Sequence, residues 1–276
     1  MEKTALLNKA LEGDIYSFQA LFAEFQGPLK SYLYRLLADR NDVDDITHDT
    51  FIKAYNKIAT FQQDASLKTW VFKIATRLAY DLLGKRPRWG VDAQDVARQY
   101  SLDTPAAKQA CRTVHATSPA GAYEMKEHID FCFTCISKTL PVENQIALIL
   151  KDIYDFSVQD IGLILEKTEG VVKHLLIDAR KTMMGIFDNR CALINKNGTC
   201  HQCSELNGIY NPKQDQQEAL MKLNLVKGSK KFEREKLYSL RTELVKAIDL
   251  LHGEGSDLTE ILFRLTRKAI GEIEAI

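Results

Sequence analysis

The chain has 276 residues, in which 37 lysines and arginines balance 37 aspartates and glutamates, with 45% hydrophobic and 9% aromatic content. That length predicts about two small domains, and no charge-free apolar run approaches the ~18 residues that a membrane span requires, which argues against a membrane-embedded protein. Met1-Glu2-Lys3-Thr4 leads straight into an amphipathic pattern without the apolar core of an export signal, so the expectation is a cytoplasmic protein. The neutral total leaves nucleic-acid binding open, because local patches set the field that a polyanion meets.

Asp14 is placed to cap a helix carrying Phe18, Leu21, Phe22 and Phe25 at helical spacing, and Pro28 suits the first turn of a second helix with Leu29, Tyr32, Leu33, Leu36 and Leu37 on one face. After Asp39-Arg40-Asn41, a third pattern turns Val43, Ile46, Phe51, Ala54, Tyr55 and Ile58 inward and leaves Asp42, Asp44, Asp45 and Asp49 polar. A polar loop runs from Thr60 to Ala65. Ser66 then caps a fourth helix with a stripe of Leu67, Trp70, Val71, Ile74, Ala75, Leu78 and Leu82, ending in Lys85, Arg86 and Arg88. Residues 1–87 therefore read as one all-helical domain.

Three of the six prolines, Pro87, Pro105 and Pro119, fall in the next stretch, where apolar periodicity is lost. Residues 88–122 read as a flexible linker. Helical spacing returns at Tyr123, with Ile129, Cys132, Phe133 and Ile136, and resumes with Val142, Ile146, Ile149 and Ile153 after Leu140-Pro141. Ser157 starts a short helix, Val158 to Leu165. Glu166-Lys167 turns the chain, and Thr168 caps a longer helix from Glu169 to about Phe187 whose inward face is Val171, Val172, Leu175 and Leu176. Short helix, tight turn and longer helix form a helix-turn-helix pattern within residues 123–188. A cysteine-containing loop, 189–211, precedes a helical extension, 212–276, predicted to hold helices from Gln216 to about Leu225, Phe232 to Leu251 and Leu258 to Ile273. The fold class expected is all-α.

The run Asp42-Val43-Asp44-Asp45-Ile46-Thr47-His48-Asp49-Thr50-Phe51, followed by Ala65-Ser66-Leu67-Lys68-Thr69-Trp70-Val71-Phe72-Lys73-Ile74-Ala75, resembles region two of an extracytoplasmic-function sigma factor of bacterial RNA polymerase. Ser157-Val158-Gln159-Asp160-Ile161-Gly162, with Gly170-Val171-Val172-Lys173 and Ala179-Arg180-Lys181, resembles that family's region-four helix-turn-helix. The two matches occur in the family's order and cover residues 1 to about 188. The resemblance implies that Asp45, His48 and Asp49 meet the clamp helices of core polymerase, with His48 standing where the family usually has Gln. It also implies that the loop, through Phe61, Gln62 and Gln63, and the fourth helix read and open the minus-ten element. Melted DNA asks for aromatic planes and for cations along its phosphates, and Lys68, Lys73, Arg77, Tyr80, Lys85 and Arg86 join Phe61 in supplying both. Trp70, on the apolar stripe, reads as core. Thr168, Glu169, Lys173, His174, Arg180 and Lys181 are the candidates for minus-thirty-five DNA. Leu175, Ile177 and Asp178 leave that helix poorly charged for the task, and Glu166 stands where the family usually has a turn Gly.

Cys132-x-x-Cys135 and Cys200-x-x-Cys203 have the spacing of tetrahedral zinc ligands, so one structural zinc shared between them is one reading, with Cys191 and His201 as substitutes. Buried thiols are the other, because Cys132 and Cys135 lie in an apolar helix stretch. The functional expectation is a non-catalytic sigma factor that binds core polymerase and promoter DNA and meets a recruiting or anti-sigma protein through its extension. The rival is a free-standing helix-turn-helix regulator, metal-responsive through its cysteines. No phosphate-binding glycine loop or nucleophile motif points to an enzyme.

Overall fold

The computed structural model describes residues 2–117, 121–191, 232–248, 251 and 256–273. Among them the secondary structure is helical: α1 (Glu2–Leu11), α2 (Ile15–Leu37), α3 (Arg40–Lys57) with a 3₁₀ turn at Ile58–Thr60, α4 (Leu67–Leu83), α5 (Ala93–Asp103), α6 (Pro105–Thr117), α7 (Gly121–Ser137), α8 (Val142–Asp152), α9 (Val158–Leu165), α10 (Glu169–Arg190), α11 (Arg234–Lys246) and α12 (Ser256–Ala269). The all-α expectation holds. No helix among the described residues is long and apolar enough to cross a membrane. The chain divides into two compact units, residues 1–86 with 146–176, and residues 87–145 with 177–276.

In the first unit, Asp14 caps α2 by accepting from the Ser17 N–H at 2.8 Å. The helix break expected at Pro28 does not occur, and α2 runs through it. Pro28 is exposed, so its ring sits in solvent, while Phe25, Leu29, Tyr32 and Leu33 are buried on either side. An interior proline costs about 3 kcal/mol, whereas each large apolar side chain buried gains roughly 1.5–3 kcal/mol, so the continuous stripe prevails. Ala38, left-handed at φ 57°, ends α2, and Asp39 caps α3 through the Asp42 N–H. Ser66 caps α4 as expected.

The buried face of α4 is rotated from the expected stripe. Phe72, Ala79 and Leu83 are buried with Val71 and Ala75, while Leu67, Trp70, Ile74, Leu78 and Leu82 are only half-buried. The reason lies in a partner distant in sequence: the Phe72 ring packs between Tyr32, at 5.4 Å, and Phe156, at 4.9 Å. Tyr32 shares a hydrogen bond with Thr76 at 2.8 Å in the same core, where burial pushes its phenol pKa up. Arg35, also buried, donates to the Tyr154 hydroxyl at 2.6 Å. Helix α9 packs against α4.

In the second unit, the span expected as an aperiodic linker forms α5 and α6. Their buried positions include Ala93, Gln94, Ala97, Ser101 and Ala107, small or polar residues that leave no hydrophobic period in the sequence. Helix α12 packs on α5, α6 and α7, and α11 packs on α7. The extension therefore supplies the partner for the linker segment, rather than pairing only with itself. Helix α11 buries Leu237, Tyr238, Arg241, Thr242 and Val245, with the Arg241 guanidinium 3.6 Å from the Phe187 ring centroid. The helix expected from Gln216 to Leu225 lies outside the described residues.

Candidate nucleic-acid interface

Helix α3 sorts its carboxylates by use. Asp42 pairs with Arg86 at 2.8 Å and Asp44 with Lys30 at 2.6 Å. Asp45, His48 and Asp49 are exposed on the remaining face, beside Ile52 at 42% exposure, and none of the three has an ion pair with a described residue. An acidic face with an exposed isoleucine at its edge is suited to a basic and apolar partner.

The loop after α3 and the start of α4 enclose a cavity of about 220 Å³ whose walls include Phe61, Gln62, Gln63, Trp70 and Lys73, with Leu163 of α9 on one side. Gln62 and Gln63 are exposed, and Gln63 holds a left-handed φ of 61°. Phe61, expected to offer a free aromatic plane, is instead buried, its ring 5.2 Å from that of Trp70. The loop is polar on both sides of Phe61, so burying that ring is what anchors it. Tyr80 is 39% exposed, and Lys85 is exposed beyond it.

The cations of α4 already have partners. Lys68 lies over the Phe72 and Phe156 rings, at 5.6 and 4.8 Å. Lys73 pairs with Glu166 at 2.9 Å, and Arg77 reaches Glu166 and Asp81, both at 3.9 Å. The Lys73 hydrogen bond and charge, helped by Arg77, hold the Glu166 carboxyl below its ordinary range. Thr69 adds a hydrogen bond to Asp160 at 3.0 Å. The roles of Glu166, Asp160 and Leu163 are absent from the sequence reading. The one signal available was a glutamate at the turn position.

That turn is built as the pattern predicts. Ser157 caps α9, Glu166 ends it at φ 57°, and the Lys167 N–H returns to the Gly162 carbonyl at 2.9 Å. A Cβ on Gly162 would sit 2.8 Å from the Lys167 carbonyl oxygen, so the close approach requires glycine. At the start of α10, Thr168 accepts from the Val171 N–H at 3.4 Å, Glu169 pairs with Lys173 at 3.7 Å, and His174 is exposed. Val172 and Leu176 are buried, but Val171, expected inward, is 42% exposed. Arg180 and Lys181 belong to the second unit, half-buried and exposed respectively.

Cys132 and Cys135 sit in the interior of the second unit, with Cys132 Sγ 3.9 Å from Gln94 Oε1. Burial, reinforced by Cys132, pushes the Cys135 thiol up. Cys200, Cys203 and His201 lie outside the described residues. Among the described residues no three His, Cys, Asp or Glu side chains are grouped to hold a metal ion.

Residues 21–88, which run from within α2 through α4, match the family model for sigma-70 region 2. A curated relative, the ECF RNA polymerase sigma-E factor of Haemophilus influenzae, is 28% identical over 64% of this chain and 90% of its own length. The chain is thus similar to sigma-70 region 2 over residues 21–88 and to an extracytoplasmic-function sigma factor over 64% of its length. It is also 24% identical, with the same coverage of both chains, to the RNA polymerase sigma-H factor of Pseudomonas aeruginosa. A solved structure, that of the sigma factor RpoE in complex with the anti-sigma factor NepR from Bartonella quintana, matches with a TM-score of 0.44 and 18% identity over 63% of this chain and 98% of that one. The region-2 match contains both the acidic face of α3 and the loop and cationic face of α4.

Proposed function

We propose that this chain is a sigma factor that joins core RNA polymerase and directs promoter recognition, strand opening and transcription initiation without catalysing a reaction itself. Residues 1–87 act as region two and 123–188 as region four, joined by 88–122. The observation that carries this reading is the pairing, within one matched region, of an exposed acidic helix face with a polar loop and a cationic helix. Asp45, His48 and Asp49 are the polymerase-binding groups. Gln62, Gln63, Lys73, Arg77, Tyr80 and Lys85 follow the opened minus-ten strand, and Thr168, Glu169, Lys173, His174, Arg180 and Lys181 face minus-thirty-five DNA. A free-standing helix-turn-helix regulator has no use for such a region.

The test mixes the full chain with bacterial core polymerase on a sizing column and then assays strand opening by permanganate. Asp45→Ala with Asp49→Ala should weaken co-migration and leave the helical content unchanged. Lys73→Ala, Arg77→Ala and Tyr80→Ala together should preserve co-migration and reduce opening. Undiminished co-migration of the first variant would remove the assignment of the acidic face.

A further inference from the structure

We infer that the free factor is self-blocked, with α9 and the turn after it covering the strand-opening face of α4 and Glu166 acting as the latch. This rests on the function proposed above. Three of the cations assigned there or expected from the sequence to meet DNA, Lys68, Lys73 and Arg77, are each engaged by a residue between Phe156 and Glu166. Asp160 holds Thr69, and Leu163 lies against the cavity that the loop and Trp70 form. All of these residues belong to one compact unit. Glu166 offers Lys73 and Arg77 a carboxylate where a phosphate of the DNA strand would otherwise lie. Carboxylate and phosphate compete for the same two cations, so both cannot be satisfied at once.

The backbone at Glu166 is an independent sign. It ends α9 in the left-handed region, at φ 57°, where a residue with a Cβ is strained and glycine is not. The turn itself needs only backbone, since its hydrogen bonds run from the Glu166 and Lys167 N–H groups to the Gly162 carbonyl. A glutamate is thus worse for the turn than glycine, and what its side chain adds is the pair of contacts to α4. The contact is exposed and ionic at its rim, with Glu166 60% exposed, so it is weak enough to be released when another surface competes for either side.

The experiment uses the full chain and a short fluorescent single strand of minus-ten-like DNA at low salt. Glu166→Gly keeps the turn and removes the latch, and it should bind the strand about fivefold more tightly than wild type, the scale of one or two exposed ion pairs. Glu12→Gln, the same charge change at an exposed site on unrelated backbone, should not. Leu163→Ala, which leaves every charge in place, should also bind more tightly and guards against misfolding of the first variant. Amide exchange in the loop at 60–66 should quicken in Glu166→Gly. In Glu166→Lys it should quicken too, and it should return to wild-type protection when Lys73→Glu and Arg77→Glu are added. If Glu166→Gly and Leu163→Ala bind no better than Glu12→Gln while wild type still opens promoters with core polymerase, the self-block is refuted and the sigma function stands. If wild type fails to join core polymerase at all, the function itself falls, and the inference with it.

Discussion

Replacing Glu272 with alanine should remove about 4 kcal/mol from the second unit. The Trp89 indole N–H donates to Glu272 Oε2 at 2.7 Å, and Arg267 Nε donates to Oε1 at 3.0 Å. Both members of the ion pair are close to fully buried, at 5% and 3% side-chain exposure, and Trp89 itself is 4% exposed. Removing one partner of a buried pair costs about 3–5 kcal/mol, because the other charge stays in a medium that cannot solvate it. The lost bond to Trp89, a charge-assisted one, falls within that range rather than adding to it. Lys3→Ala supplies the contrast: its pair with Glu24 is 72% and 45% exposed and should cost under about 1 kcal/mol. Glu272→Gln, which keeps an acceptor for Trp89 and discards the charge, should fall between. The measurement is urea unfolding followed by Trp89 fluorescence in a Trp70→Phe background, which silences the other tryptophan. Out of a total stability of about 5–15 kcal/mol for a typical domain, the alanine variant would shift the midpoint far. A loss below about 1 kcal/mol would mean that water reaches this pair and that the second unit is not closed by its C-terminal residues.

Thr76→Val leaves the buried Tyr32 hydroxyl without its partner and should cost about 1–3 kcal/mol, most of it recovered when Tyr32→Phe is added, because two apolar groups replace one orphaned polar one; thermal denaturation of the three variants decides. Cys132 and Cys135, with burial raising the Cys135 thiol, should resist iodoacetamide at pH 8 in the native protein and react fully in urea. Rapid native alkylation would refute the buried-thiol reading, and close to one equivalent of zinc in protein purified without added metal would favour the shared site instead.

The local signals of the first unit were legible because each is a short-range event. Asp14, Ser66 and Ser157 cap their helices by side chains that reach three residues on, and α9 spans the residues its pattern marks out. The rotation of α4 was not legible. Its cause, Phe156 against Phe72, comes from a segment far along the chain, and a stripe drawn from one helix alone cannot know which neighbour it will meet. The acidic face of α3 could be read from spacing, since what matters there is exposure. The state of Lys73 and Arg77 could not, because their partner Glu166 is fixed by the same long-range contact.

The helices of residues 93–117 are illegible in the sequence for a different reason, which bears on what that segment does. Helices α5 and α6 have 11 and 13 residues, lengths at which an isolated helix is marginal in water. They bury alanines, a glutamine and a serine, which contribute little transfer free energy of their own. The buried large apolar groups come from elsewhere: Leu265 of α12, with Ile261, joins Ala107 and the partly buried Tyr100 and Leu102 of α5 in one cluster, and Phe263 packs its ring 6.4 Å from Trp89 and 5.0 Å from Phe131. Glu272, two turns of chain beyond that cluster, then fixes Trp89 at the head of the segment. The helicity of residues 93–117 is therefore conditional on α12. A segment that would be a tether by its own composition packs on α12, so a Phe263→Asp variant should lose amide protection over residues 93–117 before it does so in α2 to α4, and equal protection in both units would refute this dependence.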